Sequence, residues 1–107
     1  PFDGELGMVF RTKHALAFKS TKGVELLVHI GIDTVELDGK GFNLIKEVGS
    51  HVKKGDVVME FDIALIKDSG YSLLTPVVVT NYNEYAEIDK KSLDKEVTND
   101  AILMEVR

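Results

Sequence analysis

The chain has 107 residues, 44% apolar and 29% charged, which suits one globular domain with a real core and little surplus. A net charge of −5 without a long basic run argues against a nucleic-acid partner, though a local apolar or basic patch could still meet an anionic one. The absence of cysteine excludes disulfides and thiolate metal sites and fits a reducing cytoplasm, and no apolar run nears the roughly 18 residues of a membrane span.

The chain opens on Pro1 rather than Met, without a signal-peptide pattern, and is expected to be a processed form or a piece of something longer. Glu5 to Phe10 reads as a strand entered from the turn Pro1-Phe2-Asp3-Gly4, with Gly4 and Gly7 suited to turns or bulges. Lys13 to Leu37 carries alternating apolar residues on both sides of Ser20-Thr21-Lys22-Gly23, the pattern of a β-hairpin that Gly31 ends. Ile32 to Leu37 is either a short helical turn or an extended segment. Phe42 to Ile45 and Val57 to Phe61 are strand candidates, separated by a turn-rich stretch in which His51 reads as a solvated turn residue. Asp62 can cap a short helix over Ile63 to Lys67, closed by Asp68-Ser69-Gly70. Leu73 to Thr80 is a strand whose Pro76 belongs at a sheet edge or near the strand's entry. Asn83 to Lys91 shows weak helical periodicity, and Ile102 to Val106 alternates as a last strand. Short strands punctuated by glycine predict an all-β fold: an antiparallel β-sandwich or partly closed barrel with one or two short helices.

A turn centred between Thr21 and Lys22 pairs Lys19 with Val24, Leu16 with Leu27, and His14 with His29. In that register His14, Leu16 and Phe18 share a face with Glu25, Leu27 and His29, while Ala15, Ala17, Leu26 and Val28 form the core face. A one-residue slip would separate the two histidines. Two imidazoles in an apolar rim suit three roles: phosphoryl transfer, metal binding, or plain structure satisfied by backbone carbonyls. For transfer, one nitrogen must be held by an acceptor, and a carbonyl near Gly31 is the candidate. The second histidine would stabilise the phosphoryl oxygens. A metal needs three or four ligands and the pair supplies two. Glu25 is a candidate third ligand, although a surface partner for Lys19 is its preferred reading. Glu36 and Asp38 read as solvated charges, and Tyr82, Glu84, Tyr85 and Glu87 as a surface patch or helix edge without assigned function.

Thr12 to Ala15 (TKHA), Gly23 to Leu37 (GVELLVHIGIDTVEL), Asp38 to Phe42 (DGKGF), Val52 to Asp56 (VKKGD) and Leu74 to Asn81 (LTPVVVTN) resemble, in order and spacing, the glucose-type enzyme IIA domains of the bacterial sugar phosphotransferase system. The resemblance covers essentially all of residues 1–107, read as a single IIA-type phosphocarrier domain. It implies a cytoplasmic phosphotransferase component with a phosphohistidine intermediate, either free or part of a membrane-bound permease, and an antiparallel β-sandwich fold. His29 would accept the phosphoryl group from the phosphocarrier protein HPr and pass it to a cysteine of the permease's IIB domain. His14 would stabilise that group, Thr12 would orient the site, and Gly31 and Asp33 would stand behind it. Phe10, Leu27 and Val35 would form the rim that docks partners. No cofactor is implied, although His14 and His29 would bind zinc with a partner's carboxylate.

The chain departs from the family at three points. PFDGELGMVF resembles an internal stretch of the family, so the given sequence is expected to lack the family's N-terminal strands. Their place is expected to be taken by a complementing N-terminal fragment or a neighbouring copy in a homo-oligomer, or the fold is rearranged. Part of the family's docking rim is expected to lie in those strands. Lys19 stands where acidic or small residues are usual, which would shift partner choice. Two rival functions follow: a regulatory binding module switched by His phosphorylation without efficient relay, and a zinc hydrolase, which would need a third ligand and a general base. The VKKGDVVMEFD stretch also resembles biotinyl and lipoyl carrier units, but it has no lysine between methionines at a hairpin tip.

Overall fold

The computed structural model describes residues 2–84 and the backbone of 88–90 and 104–106; within them lie nine strands, two 3-10 turns and one short α-helix. Strands β1 (Gly4–Val9), β2 (Ala15–Ser20) and β3 (Glu25–His29) form the centre of an antiparallel five-stranded sheet. β5 (His51–Val52) and β7 (Val77–Val79) are its edges, in the order β5-β1-β2-β3-β7. β4 (Phe42–Leu44) pairs with β6 (Met59–Phe61), and β8 (Ile88–Lys90) pairs with β9 (Met104–Val106). The five-stranded sheet stays open at β5 and β7, so the layered arrangement forms rather than a closed barrel.

The hairpin register differs by one residue from the sequence expectation. Ala15 lies opposite His29, Leu16 opposite Val28, Phe18 opposite Leu26 and Lys19 opposite Glu25. The cause is the loop. Ser20 N–H donates to the Val24 carbonyl (2.8 Å), enclosing three residues, Thr21-Lys22-Gly23, with Gly23 at φ 94°. Three-residue hairpins place a left-handed residue last, and glycine takes that position without steric cost. An odd loop shifts the pairing by one, which moves Leu16 and Phe18 to the opposite face.

That face is the core. Leu6, Leu16, Phe18, Leu26, Val52, Val58 and Val79 form one buried cluster, against which Leu44 of β4 and Met59 of β6 pack as a second layer. Leu16 and Phe18, not Ala15 and Ala17, thus join Leu26 and Val28 on the inner side, the bulkier apolar set burying more surface. The alternation of β1 is interrupted at Gly7, where the pairing with β2 shifts between Leu6 and Met8 as in a β-bulge.

A second cluster, Ile30, Leu37, Phe42 and Ile66, lies beneath the segment that leaves β3. It unites the end of the hairpin, the 3-10 turn Thr34–Leu37 and helix α1 (Ile63–Asp68). Asp62 caps α1 by accepting from Leu65 N–H (3.1 Å). At the other end Gly70 N–H donates to the Lys67 carbonyl (2.9 Å) and Tyr71 N–H to that of Ile66 (3.1 Å), a paired closure that uses Gly70 in the left-handed region. Of the segment Ile32 to Leu37, Thr34–Leu37 forms the helical turn, while Ile32 is bridged to Ser72 and Asp33 makes the bend between them. His51 sits in edge strand β5 opposite Glu5 rather than in a turn, and its side chain is exposed, as expected of a solvated residue. Pro76 precedes edge strand β7, where its missing N–H costs no ladder bond. Tyr82 to Glu84 form a 3-10 turn and Ile88 to Lys90 a strand in place of a helix, while Tyr85 and Glu87 lie outside the described residues.

Candidate functional site: a histidine pair at the end of the hairpin

Although the register shifts, the histidines still meet, at a ring-centroid separation of 4.7 Å and an interplanar angle of 76°. His29 ends β3, while His14 lies just outside β2, after Lys13 at φ 62°. Beyond the strand, pleat alternation no longer sets side-chain direction. A tight turn makes this possible: Lys13 N–H donates to the Phe10 carbonyl (2.7 Å) and Phe10 N–H to that of Ala15 (3.0 Å). The His14 carbonyl stays in the ladder, accepting from Ile30 N–H (2.7 Å), and His29 N–H donates to the Pro76 carbonyl (2.9 Å). Both backbones are thereby fixed.

Each ring has one nitrogen engaged. His29 Nδ1 lies 2.6 Å from the Gly31 carbonyl oxygen, and His14 Nδ1 lies 2.6 Å from Thr12 Oγ1. A carbonyl can only accept, so in this bond His29 Nδ1 carries the proton. A neutral His29 must then hold its lone pair on Nε2. The Thr12 hydroxyl can donate or accept, and if it donates, the proton of His14 sits on Nε2. Gly31 allows this carbonyl placement because it is left-handed, with φ 74°, and a Cβ there would stand 2.6 Å from Thr34 Cγ2 and 2.7 Å from the Ser72 carbonyl oxygen.

Burial separates the two rings. His14 is only 4% exposed, whereas His29 is half-buried. The pKa of His14 is lowered from 6.5, first by desolvation and second by the neighbouring His29, so near neutral pH it is uncharged. Phe10 lies edge-on to His14 at 5.5 Å between centroids and remains exposed. Leu27 shares the outer face with His29, opposite Ala17, and that row continues to exposed Met8 and Val78. Val35 is exposed on the 3-10 turn beyond Gly31. Asp33 precedes that turn at φ 62°, exposed, without a capping bond from its side chain.

Glu25 is exposed directly across from Lys19, four residues before His29 on one strand, roughly 13 Å along it. It cannot complete a metal site with the pair, and among the described residues no group of three His, Asp or Glu could hold an ion. Residues that sequence reasoning passed over lie behind Gly31. Thr34, fully buried, donates from Oγ1 to the Ile30 carbonyl, and Ile32 N–H donates to the Ser72 carbonyl (3.1 Å). Thr34 stands within the DTVEL stretch, but Ser72 is forty residues from Ile32 and no local pattern announces it.

Residues 1–85 match the family described as phosphoenolpyruvate-dependent sugar phosphotransferase system, EIIA 1. A glucose-specific EIIA component of Haemophilus influenzae is 52% identical over 92 residues, covering 86% of this chain and 55% of that protein. A beta-glucoside-specific EIIBCA component of Halalkalibacterium halodurans is 47% identical over 88 residues, 82% of this chain and 14% of that protein. The structure of glucose permease IIA from Mycoplasma capricolum superposes with a TM-score of 0.70 at 38% identity, covering 76% of this chain and 53% of that one. The chain thus spans little more than half the length of the H. influenzae component and of the solved IIA chain. With the family match spanning the hairpin, both histidines and the Gly31 turn, the chain belongs to the EIIA 1 family of the phosphoenolpyruvate-dependent sugar phosphotransferase system.

Proposed function

We propose that this chain is a phosphocarrier domain whose His29 relays a phosphoryl group during sugar uptake. The observation that carries the reading is the bond from His29 Nδ1 to the Gly31 carbonyl, which leaves Nε2 as the nucleophile. In the first step the Nε2 lone pair attacks phosphorus. The new N–P bond forms as the N–P bond of the donor's phosphohistidine breaks, its electron pair returning to the donor nitrogen. In the second step a cysteine thiolate attacks the same phosphorus, and the pair of the breaking bond returns to Nε2. His14, uncharged near neutral pH, stabilises the phosphoryl oxygens through an Nε2–H that the Thr12 hydroxyl secures by donating to Nδ1. Gly31 supplies the acceptor for His29 and Asp33 the strained bend behind it.

The donor is HPr and the acceptor a IIB domain, on the strength of the family and of the EIIBCA relative's fused name. Both would dock on the exposed apolar residues Phe10 and Val35 and on half-buried Leu27 beside His29. Among the described residues no helix is long and apolar enough to cross a membrane. The relay itself needs no metal. The two imidazoles fit a zinc ion only as half a ligand set, His14 and His29 holding it if a partner supplies a carboxylate.

Incubation with phosphoenolpyruvate, enzyme I and HPr, followed by intact-mass measurement, tests the reading. One acid-labile phosphoryl group is expected on the wild type and none on His29→Gln. His14→Gln should accept the group but pass it on slowly. An unlabelled wild type overturns the carrier role and leaves a binding module.

A further inference from the structure

The geometry points to Thr34 as a positioning residue for His29, its hydroxyl aiming the Gly31 carbonyl that fixes which nitrogen of His29 is free. This rests on the carrier reading only for its consequence in catalysis, since the aiming itself is a property of the resting protein.

Thr34 is the one polar residue among the largest fully buried side chains of the described residues, with Leu6 and Ile66. A buried hydroxyl must find a partner, and the one Thr34 takes is the carbonyl of Ile30, four residues back, so that the bond closes a loop around Gly31. The peptide joining Ile30 and Gly31 is thereby held at its carbonyl by Thr34, while its N–H faces Thr75 Oγ1 at a long 3.5 Å. The next peptide, which carries the Gly31 carbonyl, is held at its N–H by the Ser72 carbonyl (3.1 Å).

Peptide groups are planar, so the direction of the Gly31 carbonyl depends on the two soft dihedrals at Gly31. Glycine is the residue least able to fix those dihedrals by its own sterics. The anchors on the two flanking peptides therefore supply what the missing side chain cannot. Thr34 is the main side-chain anchor, and its Cγ2 also occupies the space beside the Gly31 Cα, where a Cβ would come within 2.6 Å of it. Asp33, at φ 62°, turns the chain so that Thr34 comes back over Gly31. Without the hydroxyl, the carbonyl is freed to drift from His29 Nδ1. A neutral imidazole then populates both tautomers, and only the form with the proton on Nδ1 keeps a nucleophilic Nε2.

The test reads the His29 tautomer directly, by 15N chemical shifts of labelled histidine near pH 8, in the wild type, Thr34→Val and Thr34→Ser. The wild type should show a protonated Nδ1 and an unprotonated Nε2. Thr34→Val, which keeps the shape and loses the hydroxyl, should move both shifts toward a mixture and slow phosphoryl acceptance severalfold. Thr34→Ser should restore both. A folded Thr34→Val protein with wild-type His29 shifts overturns the proposal. If Thr34→Val does not fold, Thr75→Val probes the same peptide from its N–H side at an exposed position. A smaller shift in the same direction then supports the proposal, and unchanged shifts overturn it. The tautomer is read without any donor protein, so failure of the wild type to accept phosphoryl would overturn the carrier reading alone.

Discussion

Replacing Gly31 with alanine should damage both stability and phosphoryl acceptance, and the structure contains its own control. Gly49 has φ 88° and nothing within 4 Å of where a Cβ would stand, whereas Gly31 at φ 74° has Thr34 Cγ2 at 2.6 Å and the Ser72 carbonyl oxygen at 2.7 Å. A left-handed alanine costs about 1–2 kcal/mol, of which about 0.4–1 returns because alanine restricts the unfolded chain. Gly49→Ala should therefore destabilise by about 1 kcal/mol or less. Gly31→Ala adds a collision inside a braced turn, about 1–3 kcal/mol for overpacking, for a total of about 1–4 kcal/mol. Urea denaturation followed by far-ultraviolet circular dichroism gives both values. Acceptance should be lost in Gly31→Ala under conditions where it is still folded, because relieving the collision displaces the carbonyl that holds His29, and it should be intact in Gly49→Ala. Equal stabilities for the two variants, or full acceptance by Gly31→Ala, would refute the reasoning.

Other outcomes follow from the same structure. The depressed pKa of His14 means that the unfolded chain binds a proton more readily than the folded one, so stability should fall as pH drops through 6.5 and level off below the folded value. His14→Gln should flatten that part of a denaturation-midpoint profile measured between acid and neutral pH. Asn81 is buried and clamps the hairpin, accepting from Glu25 N–H and donating to the Gly23 carbonyl, both at 2.9 Å. Asn81→Ala should cost about 2–3 kcal/mol in urea denaturation by stranding both partners. Lys13→Gly removes a left-handed lysine, and thermal denaturation should show a gain of about 0.5–1 kcal/mol, the strain relieved exceeding the added chain entropy.

How much of this was legible in the sequence depended on how local the cause was. The cap at Asp62, the stop at Gly70 and the place of Pro76 are set by residues within a turn of one another, and their chemistry reads directly. The hairpin was legible as a hairpin, but its register hung on whether the loop has two residues or three. The cue was Gly23 in the third loop position, where a left-handed residue belongs. The slip inverted the faces of Leu16 and Phe18, yet the histidine pairing survived it, because His14 leaves the pleat at left-handed Lys13. No propensity announces a left-handed lysine; the surrounding turn imposes it. Glu25 looked available as a ligand only while its distance along the strand was ignored. Asn81 and Ser72 act across 56 and 40 residues of chain and were beyond any window-based reading. Cross-strand pairing alone leaves phosphoryl transfer, metal binding and structure level, and the separate roles proposed for His29 and His14 rest on family likeness. The structure adds a physical reason for the proposed division: one ring is bonded to an acceptor that fixes its proton, and the other to a hydroxyl that can adapt.

The central claim is that the Gly31 carbonyl makes Nε2 of His29 the phosphoryl acceptor. Phosphorylating 15N-histidine-labelled protein with phosphoenolpyruvate, enzyme I and HPr, and reading the one-bond coupling between phosphorus and nitrogen, tests it most directly. The account predicts a single coupled nitrogen, Nε2 of His29, with Nδ1 still protonated. Phosphorus on Nδ1, on His14, or on neither ring would contradict it.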